Sequence, residues 1–237
     1  MRFIHFETID STNTWLKNSW EDQPDMTFVS ADYQSQGRGR RQRSWTSPKG
    51  ESLMFSLLIR DEQLLKRHQL VSLVSALSIV RLLQQRGVSD VTVKWPNDVY
   101  AGGRKICGIL LEGVSQPELQ CLIVGIGLNV NQQAFAGEYR HEPVSLYQLT
   151  GRRSDISRLR QQAYQLLTEE LEKLKADEDF RKVLQSHDYL KGRRVLAEIG
   201  QETREVSVIG INPDGSLRIR ADGRETDITS GEISFRV

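Results

Sequence analysis

Apolar positions along the chain fall into short runs and two long amphipathic stretches, and their spacing sorts them into elements. Thr27-Phe28-Val29-Ser30-Ala31 and Leu53-Met54-Phe55-Ser56-Leu57-Leu58-Ile59 are compact, β-compatible runs that predict buried strands. From near Lys66 to Gln85, Leu70, Leu73, Val74, Leu77, Val80 and Leu83 recur at three- and four-residue steps. That spacing predicts a helix of about five turns, ended by Gly87. Ser72, Ser75 and Ser78 are small enough to let it pack closely, so it should lie at the centre of the fold.

Val91-Thr92-Val93-Lys94-Trp95 alternates like a strand, and Pro96 stops its ladder. Gly102-Gly103 marks a hairpin turn into Lys105–Leu111, and a further strand, Leu119 to Gly127, follows Pro117. Strands joined by short turns predict an antiparallel or mixed sheet with few crossovers. A second amphipathic helix starts near Ser154 or Asp155, with Ile156, Leu159, Ala163, Leu166, Leu167, Leu171 and Leu174 as its stripe. From about Tyr189 the period shortens. Arg194–Ile199, Glu205–Ile211, Ser216–Arg220 and Glu225–Ile228 alternate with turns at Gly200, Asp214-Gly215 and Asp222-Gly223. This predicts a small β-barrel. The expected architecture is α+β: a mixed or antiparallel sheet with packed helices over residues 1–188, and a small all-β unit over 189–237.

Composition changes this picture mainly by exclusion. A formal net charge of +1 over 237 residues gives no global field that would steer the chain onto nucleic acid or an acidic membrane. No run approaches the eighteen or so apolar residues of a membrane helix, and the first residues lack an apolar signal core. Two cysteines, Cys107 and Cys121, make no disulfide framework, which suits a reducing, cytoplasmic setting. The four histidines are scattered without metal-ligand spacing.

Two stretches carry candidate chemistry. Gln34 to Gly50 is a long polar loop, and within it Gly37-Arg38-Gly39-Arg40-Arg41-Gln42-Arg43 puts four arginines in seven residues. Crowded like charge is unfavourable alone but favourable opposite a phosphate, where guanidinium makes bidentate bonds. The Lys-Ser/Thr ending of a Walker A loop is absent. The plain alternative is a solvated basic loop that touches RNA or nothing. Trp45, just beyond, is either a lid over an adenine or a core anchor. In the second stretch, Lys94 closes an apolar strand beside the turn Pro96-Asn97-Asp98. A lysine there can meet a carboxylate and a phosphate together and offset their repulsion. A snorkelling strand-end lysine, with Asn97 and Asp98 as ordinary turn formers, is the alternative.

Five segments in order resemble the biotin–protein ligases, also called biotin–acetyl-CoA-carboxylase ligases. They are Asp10-Ser11-Thr12-Asn13, Gln34 to Arg41, Lys94-Trp95-Pro96-Asn97-Asp98, Arg104 to Glu112, and Gly125-Ile126-Gly127-Leu128-Asn129-Val130-Asn131. The tail, with Gly231-Glu232-Ile233-Ser234, is similar to the family's SH3-like C-terminal domain. The resemblance implies a class II synthetase-like catalytic domain. It implies formation of biotinyl-5′-AMP from biotin and MgATP, then transfer of biotin to one lysine of a biotin carboxyl carrier protein. By the same resemblance, Lys94 and Arg40 are the expected catalytic groups. Ser11, Thr12, Asn13, Gln34, Gly37, Arg38, Gly39, Arg40, Lys94 and Gly108 are expected at biotin. Arg38, Arg40, Arg41, Trp45, Asn97, Lys105 and Asn129 are expected at ATP or the adenylate. Magnesium would come with ATP, not in a protein cage. The family often has Gly where this chain has Gln42. The first motif begins at residue 10, so no N-terminal winged helix-turn-helix and no repressor activity or DNA partner are expected; a homodimer is compatible. Lipoate or octanoate ligases and transferases share the scaffold and stand as the alternative in the same superfamily. A non-enzymatic nucleic-acid module is the alternative from another class.

Overall fold

The computed structural model describes residues 2–137, 139, 141–199, 202–229 and 231–234; the side chains of Gln42, Glu232 and Ser234, and the turn expected at Gly200, lie outside the described residues. Two sheets organise the chain. The first has seven strands: β1 (Phe3–Phe6), β2 (Phe28–Ala31), β3 (Ser52–Ile59), β4 (Val91–Lys94), β5 (Asp98–Ala101), β6 (Arg104–Ser115) and β7 (Leu119–Asn129). Their order is β1-β2-β3-β7-β6-β5-β4, with β1 and β2 parallel and every other pair antiparallel. The second sheet is antiparallel, in the order β11-β10-β9-β8-β12. Its strands are β8 (Arg194–Ile199), β9 (Glu202–Ile211), β10 (Leu217–Ala221), β11 (Arg224–Ile228) and β12 (Glu232–Ser234). The helices are α1 (Thr12–Ser19), α2 (Glu62–Lys66), α3 (His68–Gln84), α4 (Leu146–Thr150), α5 (Ile156–Lys175) and α6 (Arg181–Ser186).

The larger sheet is covered differently on its two faces, and that difference creates the site. Leu53, Phe55, Leu57 and Ile59 of β3 pack with α3 and α5 in the main core. Residues one step out of phase point the other way, because strand side chains alternate. On that face Leu58, Val29, Cys121 and Ile123 meet Leu16 of α1 in a smaller cluster. Towards the other end of the same face the side chains shrink. Met54 stands opposite Gly127 and Ser56 opposite Gly125; Gly127 in turn pairs with Gly108, and Gly125 with Leu110. The glycines leave a trough that none of the described helices fills.

The long helix starts within two residues of where the spacing puts it, and an unexpected short helix precedes it. A separate turn, α2, is capped by Asp61, which accepts from the backbone N–H of Gln63 at 3.0 Å and of Leu64 at 3.2 Å. Arg67 then leaves helical geometry (φ −110°, ψ 25°), and its guanidinium donates to the Leu174 carbonyl at the end of α5, 2.7 Å away. Only then does α3 begin, and it is buried almost all round.

Candidate active site

The wall of the trough is the N-terminus of α1. Ser11 is its N-cap and accepts from the Thr14 N–H at 3.4 Å. The Thr12 N–H donates to Gln34 Oε1 at 2.7 Å, and Thr12 Oγ1 lies 2.6 Å from Ser56 Oγ. Ser56 Oγ donates to Asn13 Oδ1 at 2.5 Å, and Asn13 Nδ2 donates to Glu112 Oε2 at 3.0 Å. All of Ser11, Thr12, Asn13 and Ser56 are buried. A Cβ on Gly125 would stand 2.2 Å from Asn13 Oδ1, so only glycine leaves room for that amide.

The roof is the arginine segment, folded as a small hairpin. Arg38 and Ser44 form an antiparallel bridge, and the Trp45 N–H donates to the Gly37 carbonyl at 2.8 Å. A 3₁₀ turn over Arg40–Gln42 reverses it, with Arg41 in left-handed geometry at φ 53°. The unusual dihedral thus falls on Arg41, one residue before Gln42. Trp45 swings its indole back onto the floor: a Cβ on Gly127 would lie 2.5 Å from its Cε2, and one on Gly108 3.2 Å from its Cζ3. Trp45 Nε1 is shielded from water and has no acceptor among the described residues, so an acceptor on a bound molecule would satisfy it.

At the far end sits Lys94, only 3% exposed. Its ammonium donates towards the Tyr100 hydroxyl at 3.5 Å, lies 2.9 Å from His141 Nε2, and stands over the Tyr100 ring at 5.4 Å. Beside it, Lys105 pairs with Asp98 at 2.7 Å. Asn97 accepts from Arg40 Nη1 at 3.1 Å and donates to the Ile109 carbonyl at 2.7 Å. Asn129 donates to the Val144 carbonyl at 3.2 Å. The second sheet closes this side. Arg40 Nη2 donates to the Gly231 carbonyl at 3.1 Å, Arg41 pairs with Glu198, and Trp95 Nε1 donates to the Gly215 carbonyl at 3.0 Å.

Together these walls enclose a cleft of about 250 Å³. It is lined by Ser11, Thr12, Asn13, Gln34, Arg38, Gly39, Arg40, Arg41, Trp45, Lys94, Asn97, Lys105, Gly108 and Asn129, every candidate named from the sequence except Gly37. Gly37 instead lets the hairpin cross itself, since a Cβ there would lie 2.3 Å from the Trp45 carbonyl oxygen. Sequence reasoning missed Ser56, Phe135, Tyr139 and His141. Ser56 was hidden inside an apolar strand, and the other three come from the segment after β7, which carries no motif. Gly125 and Gly127, alternating in strand text, were the available signal for a close approach to the sheet. Among the described residues no three His, Cys, Asp or Glu side chains cluster as a metal site. The oxygen-bearing side chains of the Asn97-Asp98 turn are already engaged by Arg40 and Lys105.

A polar, cation-lined cleft on a half-covered mixed sheet defines the architecture, and comparison with known proteins gives the family. Residues 5–129 match the biotin/lipoate A/B protein ligase family and residues 191–236 match the biotin protein ligase C-terminal domain. The chain belongs to the biotin/lipoate A/B protein ligase family. It is similar to the biotin--[acetyl-CoA-carboxylase] ligase of Paracoccus denitrificans, at 29% identity over 95% of this chain and 97% of that one. It is 36% identical to the bifunctional ligase/repressor BirA of Bacillus subtilis over 64% of this chain, and the match spans about half, 48%, of that protein. Among solved structures, the biotin protein ligase from Aquifex aeolicus in complex with biotin and ATP superimposes with a TM-score of 0.83. Identity there is 30%, covering 99% of this chain and 98% of that one.

Proposed function

We propose that the chain is a biotin–protein ligase. It joins biotin to ATP as biotinyl-5′-AMP with release of pyrophosphate, then passes biotin to a lysine of a biotin carboxyl carrier protein. The observation that carries this reading is the convergence of the arginine hairpin, Lys94 and the polar α1 terminus on one cleft. The fold shared with a ligase solved with biotin and ATP supports it.

In this reading the two ends of the trough divide the work. Ser11, Thr12, Asn13 and Gln34 face the ureido ring, whose groups both donate and accept. Trp45, on the Gly108–Gly127 floor, and Asn129 border the nucleotide. The carboxylate must approach an anionic α-phosphate, and Lys94, Lys105 and Arg40 offset that repulsion as the new bond forms. Lys94 is suited to the task because burial strengthens its field. Magnesium bound to the nucleotide would supply charge neutralisation at its phosphates. The hairpin, held to Asn97 and the second sheet by Arg40, keeps water from the mixed anhydride. The acceptor lysine then attacks the anhydride carbonyl and AMP leaves, with no covalent enzyme intermediate. We also propose a boundary between the catalytic and C-terminal units at 188/189; the C-terminal family match beginning at 191 supports it.

Incubation with MgATP, biotin and a carrier domain, followed by mass spectrometry of the carrier, tests the reading. One biotinyl group added to one lysine is the expected result. Acylation by lipoate or octanoate in place of biotin would overturn it. Among the described residues no helix is long and apolar enough to cross a membrane, and a cytoplasmic carrier is the proposed partner.

A further inference from the structure

Glu112 is close to the cleft yet does not line it. Its side chain is 12% exposed. One carboxylate oxygen accepts from Arg38 Nη2 at 2.6 Å, with Lys17 3.7 Å away; the other accepts from Asn13 Nδ2 at 3.0 Å. From Asn13 the hydrogen bonds continue through Ser56 to Thr12. This chain joins the arginine hairpin to the pocket wall, and the donor and acceptor rules fix its direction.

A carboxylate only accepts, so Asn13 must turn its NH₂ towards Glu112. The reverse orientation would set two oxygens 3.0 Å apart. Asn13 Oδ1 then faces Ser56, 2.5 Å away, and can only accept, which commits the Ser56 hydrogen to Asn13. Thr12 Oγ1 lies 2.6 Å from Ser56 Oγ and 3.1 Å from Gln34 Oε1, which also accepts from the Thr12 N–H, so both oxygens draw on the one Thr12 hydrogen and it is held within the protein. With its hydrogen spent, Thr12 Oγ1 offers lone pairs alone to the cavity. Ser11 Oγ already accepts from the Thr14 N–H, so its own hydrogen is free to donate. The wall therefore presents one donor beside one acceptor.

We infer that Glu112 is a specificity-determining positioning residue. Acting through Asn13 and Ser56, it orients the hydroxyls of the pocket so that they select a cyclic urea, with N–H and C=O side by side, over acids whose far end carries no donor. The inference rests on the biotin reading and deepens it. A lipoyl dithiolane or an octanoyl methyl offers nothing to the Thr12 lone pairs, which would then be buried without a partner.

Titration calorimetry with biotin, and biotin and ATP KM values from pyrophosphate exchange, test this in the full chain. Glu112→Gln can turn an NH₂ against Asn13 and should weaken biotin binding roughly 10- to 100-fold, as for loss of a charge-assisted bond, with the ATP KM held within about twofold. Asn13→Asp alone sets two carboxylates against each other and should also lose biotin. Combining Glu112→Gln with Asn13→Asp restores the direction, since the amide NH₂ introduced at position 112 donates to the carboxylate introduced at position 13, which still accepts from Ser56. The double variant should recover affinity to within about threefold of wild type. Wild-type biotin binding by Glu112→Gln, or a double variant as weak as the singles, overturns the proposal alone. Wild-type chain gives a reading free of folding effects: a biotin analogue with both ureido N–H groups replaced by oxygen should bind at least about tenfold more weakly. Equal binding overturns the proposal. A wild-type chain that binds lipoate and not biotin overturns the substrate reading and this inference together.

Discussion

A lysine that is 3% exposed is an expensive side chain to keep charged. Tyr100 and His141 stand against the Lys94 ammonium, and an anion arriving in the cleft adds a charge-assisted bond. Lys94→Ala should therefore lower biotin-dependent pyrophosphate exchange by about a hundredfold or more, the scale for losing one transition-state donor, with the thermal midpoint little lowered. An exchange rate within about threefold of wild type would remove Lys94 from the chemistry. The cysteines give the opposite expectation. Burial pushes the Cys107 thiol up, with the Lys105 charge opposing and the Asp98 charge reinforcing, and burial also raises Cys121. A protonated, covered thiol is a poor nucleophile. Thiol-specific alkylation should proceed only on denaturation, and Cys107→Ala should keep adenylation activity; rapid labelling of the native chain would contradict this. Lys94 was visible in the sequence as a misplaced charge in an apolar strand. His141 was not, because a lone histidine in a motif-free loop has no local pattern to reveal its partner.

Strand β7 does two jobs two residues apart. Gly125 and Gly127 share a face, and each leaves room for a different wall of the cleft: Asn13 over the first, the Trp45 indole over the second. Neither has a left-handed backbone, so alanine adds only a methyl group. At Gly125 that methyl must displace an amide 2.2 Å away, and at Gly127 an indole 2.5 Å away. Gly125→Ala should then raise the biotin KM about tenfold or more with a smaller change for ATP, and Gly127→Ala should do the reverse, each shift matching an overpacking cost of about 1–3 kcal/mol. Equal shifts in both constants for both variants would show that the two ends of the trough are not separate. Elements with a strong signal were legible: α5, β6 after its Gly102-Gly103 turn, and β8 appear where the spacing put them. β1 and α1 were not, since four residues of one and eight of the other are too short for a periodic signal. The span of α3 was legible to within two residues, but the separate turn α2 was not, because it rests on the Asp61 cap and on the Arg67–Leu174 bond, a contact across 107 positions.

At the scale of the molecule, the second sheet is part of the site. Gly231 and Glu198 hold the arginine hairpin, and Gly215 holds the indole of Trp95, the neighbour of Lys94. Sequence spacing revealed the small all-β unit but not this docking, which depends on which strand ends meet in space. The joint has a titratable group of its own. Asp188 pairs with Val93 in a parallel bridge just before the second sheet. Its Oδ1 accepts from the Leu190 N–H at 2.9 Å, while Oδ2 is buried without a hydrogen-bond partner among the described residues. Burial, the largest cause, raises this carboxyl above its ordinary value, against the N–H groups of Leu190 and Lys191 and the Lys191 charge. A raised folded-state value means the native chain binds more protons than the unfolded one. Asp188 therefore destabilises the fold progressively as pH rises from the ordinary carboxyl value of 3.8 through the raised one, and by a constant amount above it. Asp188→Asn keeps the Oδ1 acceptor and removes the charge. Asp61 and Asp227, both lowered, tilt stability the other way in wild type and variant alike, so they cancel in the difference. Urea midpoints of the two proteins, measured from about pH 4 to about pH 8, should show an advantage of the variant over wild type that grows with pH and then levels. A difference that is flat, or that shrinks as pH rises, would mean that Asp188 is as well solvated in the folded chain as in the unfolded one.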